Sequence, residues 1–272
     1  MPSSPLTIPG QIPGQDRASR AAIVDELRRR LPRMEGPGAA AHALPFGLAA
    51  LDRHLPQGGL TLGALHEVAP QAHGDTPAAF GFLVALLARL AGAAHRARPV
   101  LLVSSPRALV DHGRPHGHGL QALALDPARL ILVETRNETQ ALWAVEEAVR
   151  SAVPAAVAGA IGKLDLKTSQ RLQLAAGEAG LPLVVLRPAQ AGEASAAATR
   201  WRIGAAEAAR DRFGLMVRTR WSVRLARCRN GRTGKWLVEF DHAAHRFSLA
   251  APLADPALSR RPGADAARRR AG

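Results

Sequence analysis

The sequence predicts an α/β fold: a mostly parallel sheet covered by helices on both faces, with an antiparallel strand-and-hairpin unit at its C-terminal side. Three observations carry this. Short, continuously apolar runs alternate with helix-like segments between residues 64 and 187, and continuous apolarity belongs to strands buried on both faces. A strand–loop–helix unit heads this region. After Thr199 the pattern changes. Trp221, Val223 and Leu225 alternate with Arg220, Ser222 and Arg224, and Asn230-Gly231 marks a turn before a returning strand Lys235–Phe240.

In chain order, residues 1–40 read as a flexible N-terminus holding one amphipathic helix, Arg17–Leu31, with Ala21, Val24, Leu27 and Leu31 at helical spacing. Docking of that helix on its own core is the expected arrangement. Residues 41–198 form the core. A helical turn (Leu48–Leu55) and a Gly58-Gly59 break lead into a strand, Ala64–Val68, then a loop and a helix, Pro77–Ala94. Strands are expected at Val100–Ser104, Leu130–Thr135, Ala155–Ile161 and Leu183–Arg187. Asn137-x-x-Gln140 starts a helix to Arg150, and Lys167–Ala179 is a helix closed by Gly180. Pro188–Thr199 is rich in small residues and reads as flexible. Residues 199–251 make the basic extension, beginning with a short strand, Thr199–Ile203, and residues 252–272 a disordered basic tail.

The loop Ala69-Pro70-Gln71-Ala72-His73-Gly74-Asp75-Thr76 has the spacing of a phosphate-binding loop, G-x-x-x-x-G-K-[ST]. Ala69 stands at the first glycine and Asp75 at the lysine. A P-loop binds phosphate with backbone N–H groups, a helix N-terminus and that lysine's cation. Asp75 puts an anion there instead, and Pro77 removes a donor from the first turn. Asp75-Thr76-Pro77 reads as a capped helix start in which the carboxylate takes the positive helix end.

Leu51-Asp52, Leu55, Gly58-Gly59-Leu60 and Gly63, followed by a short strand and this loop, resemble the opening of the RecA-type ATPase core. With the degenerate loop and Thr199-Arg200-Trp201, the chain is similar to the ImuA family over about residues 44–249. That resemblance implies a RecA-like core and an accessory part in mutagenic translesion DNA synthesis. It implies partnership with ImuB (a polymerase-like protein), with an error-prone replicative polymerase and with RecA itself. DNA would be met directly or through those partners. A RecA-like ATPase also needs a catalytic acid after Val100–Ser104 and a metal-binding acid at the end of Ala155–Ile161. The residues there are Ser105-Pro106 and Gly162. The sequence therefore predicts no catalysis and no bound nucleotide or other cofactor.

Charge bounds the alternatives. Net charge is +14, and only Lys163, Lys167 and Lys235 of the 36 basic residues are lysine. Arg200–Lys235 holds eleven basic residues against Glu207 and Asp211. Arg200, Arg202, Arg220, Arg224, Arg227, Arg229 and Lys235 are the candidates for an acidic partner or DNA. Alternation predicts tryptophans inward and arginines outward. Asp111, His112, His116 and His118 could bind a metal, but a solvated loop is the plainer reading. The apolar stretch Ala78–Ala94 carries Arg89 and is short for a membrane span. The N-terminus has no secretory pattern, and one cysteine, Cys228, fits a reducing cytoplasm. Three other functions stay open on the residues alone: an active ATPase or recombinase, a SulA-like division inhibitor, and a DNA-binding module.

Overall fold

The computed structural model describes residues 43–250 apart from 95–97, 107, 193, 211 and 214. The expected helix Arg17–Leu31 and the basic tail from Pro252 lie outside the described residues.

A two-stranded ribbon of β1 (Ala43–Leu44) and β2 (Leu60–Thr61) flanks a short helix, α1 (Ala49–Asp52). The Asp52 carboxylate closes this unit by accepting from the Phe46 and Leu48 N–H groups at 2.7 and 2.9 Å. There follow β3 (Leu65–Pro70), α2 (Thr76–Ala93), β4 (Val100–Ser104), α3 (Gly117–Ala122), β5 (Leu130–Glu134), α4 (Glu138–Arg150), β6 (Ala156–Ala160), α5 (Leu166–Ala179) and β7 (Leu183–Leu186). The described residues end in four antiparallel-connected strands: β8 (Thr199–Arg210), β9 (Met216–Cys228), β10 (Gly234–Asp241) and β11 (Arg246–Leu249).

All but the ribbon join one nine-stranded sheet, ordered β11-β10-β9-β8-β3-β7-β6-β4-β5. From β5 to β8 neighbours run parallel; from β8 to β11 they run antiparallel. The fold is the α/β architecture read from the sequence, and the extension continues the core sheet through β8. Helix α2 covers one face, with Phe82, Leu83, Leu86, Leu87 and Leu90 buried; α4 and α5 cover the other, through Val145, Val149, Leu172 and Ala176. Residues of β6 alternate between the two cores: Ala156, Ala158 and Ala160 toward α2, Val157 toward α4 and α5. A Cβ on Gly159 would lie 3.0 Å from Val145, so that glycine lets α4 close on the sheet.

Helix starts follow local chemistry. Asn137 accepts from Gln140 N–H at 2.8 Å, and Gln140 Oε1 accepts from Arg136 N–H at 3.1 Å. Asp165 accepts from Thr168 N–H at 2.7 Å, which holds its carboxyl below the usual carboxylate range. Gly180, at φ +63°, ends α5 in the left-handed conformation glycine tolerates.

Under the antiparallel strands sits an aromatic cluster of Phe46, Phe82, Trp201, Trp221, Phe240 and Phe247. Ring centroids of its contacting pairs lie between 5.4 and 6.5 Å apart. Trp201 and Trp221 thus face inward, as alternation predicts, while Trp236 is half-buried with its ring edge-on to His54. Beside the cluster, buried His66 bridges strands. Its Nε2–H donates to Thr61 carbonyl oxygen at 2.8 Å, and Nδ1 accepts from Thr199 Oγ1 at 2.8 Å. Trp201 Nε1 donates to the same hydroxyl. The carbonyl can only accept, which assigns the proton to Nε2.

Two expectations fail here. The short strand Thr199–Ile203 runs on to Arg210, because β9 pairs with it through most of that length. The segment Pro188–Thr199, read as flexible, is pinned at several points. Arg202 donates to the Ala189 and Ala191 carbonyl oxygens, Arg227 to Ser195 and Arg229 to Ala196, while Ser169 Oγ accepts from Ala196 N–H.

Candidate functional site

Two places on this frame answer to the sequence: the loop at the head of α2 and the arginine-bearing strands. In the loop, Ala69 and Pro70 still belong to β3, which runs two residues beyond the expected end at Val68. The reversal is left to Gln71, Ala72 and a 3-10 turn, His73–Asp75. Gly74 has open space where a Cβ would go. Asp75 does not cap α2 as expected. Its Oδ2 accepts from Ala72 N–H at 3.0 Å, and its Oδ1 reaches across to Ala205 N–H at 2.9 Å. Ala205 lies just past Ile203, the last residue of β8 paired with β3. The carboxylate therefore continues the ladder where the neighbouring strand has ended. Thr76 Oγ1 donates to the loop's own His73 carbonyl at 2.9 Å. Gln71 donates through Nε2 to Ser222 carbonyl oxygen at 2.9 Å, and a Cβ on Gly204 would lie 3.0 Å from that Gln71 side chain. The Gln71, Asp75 and Thr76 side chains are thus engaged with the protein itself.

A crevice of about 240 Å³ opens beside the loop, lined by His73, Thr76, Asp111, His112, Gly162 and Arg187. No acid stands at the ends of β4 or β6. The sequence reading missed Glu138, which α4 carries to that place. Its Oε1 accepts from Ser105 Oγ at 3.0 Å and Gly162 N–H at 2.9 Å. A Cβ on Gly162 would lie 2.5 Å from that oxygen, so any larger residue there would push the Glu138 carboxylate aside. A first-turn glutamate was visible in the sequence, but its neighbours come from β4 and β6. His116 and His118 stack at 5.1 Å. Among the described residues no group of three or more His, Cys, Asp or Glu side chains is placed to hold a metal.

The candidate cations separate into two sets. Arg200 Nε meets the buried Glu67 carboxylate at 2.6 Å, its register partner across β3–β8, and Arg200 also reaches Ser195 Oγ. Arg202, Arg227 and Arg229 fasten the 188–198 segment. Arg220, expected at the solvent, is 14% exposed and pairs with buried Glu239 at 2.6 Å. The sequence signal for both ion pairs was there: an acid beside apolar strand residues, His66-Glu67-Val68 or Val238-Glu239-Phe240, needs a cation opposite once that stretch is buried.

Arg224 and Lys235 remain on the exposed side. They are cross-strand partners, and Arg202 stands opposite Arg224 on its other side, so Arg202, Arg224 and Lys235 form one row across β8, β9 and β10. Burial first, then the charges of Arg200, Arg224 and Arg187, push the Arg202 guanidinium below its usual pKa; Glu67 opposes this. Like charges placed opposite one another destabilise a sheet. Among the described residues no carboxylate pairs with Arg224 or Lys235.

No family model matches the chain. The ImuA proteins of two Caulobacter vibrioides strains, NA1000 / CB15N and ATCC 19089 / CIP 103742 / CB 15, are each 36% identical to it over 231 residues, covering 78% of this chain and 90% of theirs. The solved SulA of Pseudomonas aeruginosa matches 46% of this chain and 97% of its own, at 20% identity and a TM-score of 0.37. That last likeness is too low to weigh. At the identity and coverage of the Caulobacter proteins, the chain belongs to the ImuA family, whose members are accessory factors of damage-induced translesion synthesis.

Proposed function

We propose that the chain serves mutagenic translesion synthesis without nucleotide chemistry, as a scaffold that engages an ImuB-like polymerase-family protein and an error-prone replicative polymerase, with RecA as a further partner and DNA met directly or through them. The observation that carries this is the Asp75 carboxylate, seated in the loop and bonded to Ala72 and Ala205 N–H groups. A polyphosphate would meet an anion, a Pro77 without an N–H and no strand-end acid for Mg²⁺. Calorimetry with Mg²⁺-ATP is expected to give no heat of specific binding. Asp75→Lys should give no turnover, because neither β4 nor β6 ends in an acid and Glu138, the acid brought there, is held by Ser105 and Gly162. Micromolar affinity in the wild-type chain would overturn the reading.

The partner surface in this proposal is the row's exposed pair, Arg224 and Lys235, with Arg202 behind them tied to the Ala189 and Ala191 carbonyls. An uncompensated cationic row suits an acidic protein surface, setting association rate and specificity more than affinity. Arg224→Glu with Lys235→Glu should fold normally, since both side chains are exposed. In pull-downs it should lose ImuB-like partner binding at low salt, and the difference from wild type should shrink at high salt. Undiminished capture by this double variant would move the interface elsewhere.

A further inference from the structure

Helix α2 contains one charged residue, Arg89, in eighteen, and is long and apolar enough by composition to cross a membrane. A helix apolar all round is one that is covered all round. Its sheet-facing side is covered, but the side bearing Ala88, Gly92 and Ala93 is more open, and among the described residues nothing approaches within 4 Å of where a Gly92 Cβ would sit. With Leu44, Ala85, Phe240 and Phe247 this side forms a groove of about 440 Å³. Ala85, Ala88 and Gly92 follow one another at steps of three and four, so they make a single shallow stripe that lets another helix come close.

We propose that residues Arg17–Leu31 of the same chain lie in this groove as an amphipathic helix against α2. Chain connectivity points there. Leu44, the second residue described, lines the groove, and so does Phe247, close to the last. From Leu31 to Ala43 the chain can reach roughly 40 Å at full extension, ample for a return. Val24 to Leu31 spans about 10 Å of helix, as does Ala85 to Gly92, so the two stripes match in length. The C-terminal tail leaves from the same neighbourhood but suits the groove poorly. It has no apolar periodicity, whereas Ala21, Val24, Leu27 and Leu31 recur at helical spacing.

The test uses the full chain with Cys228→Ser and cysteine pairs drawn from Val24, Leu27 or Leu31 and from Ala88 or Gly92. Under mild oxidation at least one pair is expected to close an intramolecular disulfide, read by mass spectrometry and non-reducing electrophoresis. Leu27→Cys with Leu174→Cys, on the α5 side of the sheet, should give none. Links formed only between molecules, or no link from any pair in a chain with native circular dichroism, would overturn the proposal. Limited trypsinolysis gives a second readout without added cysteines. Ala88→Arg, which fills the groove, should make cleavage at Arg28–Arg30 roughly tenfold faster than in wild type. Equal cleavage rates would count equally against docking.

Discussion

Replacing Arg200 with alanine is expected to lower stability by about 3–5 kcal/mol, measured by denaturant unfolding. The loss comes mainly from what remains. Glu67 is 1% exposed, and its carboxylate would be left inside the sheet without its partner at 2.6 Å. Ser195 would lose a donor as well, loosening the segment that Arg202, Arg227 and Arg229 also hold. Arg224→Ala is the matching control. That side chain is exposed, and its removal relieves repulsion within the Arg202–Arg224–Lys235 row, so stability should change by less than about 0.5 kcal/mol. The pair of measurements separates arginines that build the sheet from arginines presented to a partner. If Arg200→Ala proved as mild as Arg224→Ala, the buried pair would not be structural.

Acid should weaken the fold through His66. Burial pushes its imidazole down to about 4 from an ordinary value of 6.5. Above pH 6.5 the ring is neutral in folded and unfolded chains alike, and contributes no pH dependence. As pH falls from 6.5 toward 4 the unfolded chain takes up a proton that the folded chain refuses, so stability is lost across that window. The full loss amounts to about 3 kcal/mol. Urea midpoints taken between pH 7.5 and 4 should show it, and His66→Gln should flatten the part of the curve between 6.5 and 4. A wild-type curve flat over that range would show that Nδ1 takes a proton without opening the bridge to Thr199.

The parallel half of the sheet was legible almost residue by residue. Val100–Ser104 is reproduced as read, and the runs at Ala155–Ile161 and Leu183–Arg187 are each trimmed by a residue or two, because an apolar run bounded by Gly or Pro has little else to become. Strand β8 was read short because Gly204-Ala205-Ala206 carries no strand preference of its own; pairing with Ser222, Trp221 and Arg220 makes it a strand. At the site, local rules said what Asp75 excludes but not what it does. Its nearest use was a helix cap, and the N–H that claimed it belongs to Ala205, 130 positions away. Alternation correctly assigned Trp221, Val223 and Leu225 to the core. It could not say which arginines would be neutralised, since Glu67 and Glu239 arrive on other strands.

Asp75's bond to Ala205 has a consequence for timing. In a nucleotide-driven RecA-type protein, hydrolysis is a clock: it makes release irreversible and sets how long an assembly lasts. On the function proposed above that clock is absent, because the residue at its trigger position ties the loop to β8. Assemblies would then form and dissolve by mass action, their lifetime set by dissociation rate and their abundance by how much of each partner is present. Such a factor would be turned on by synthesis and off by dilution or proteolysis.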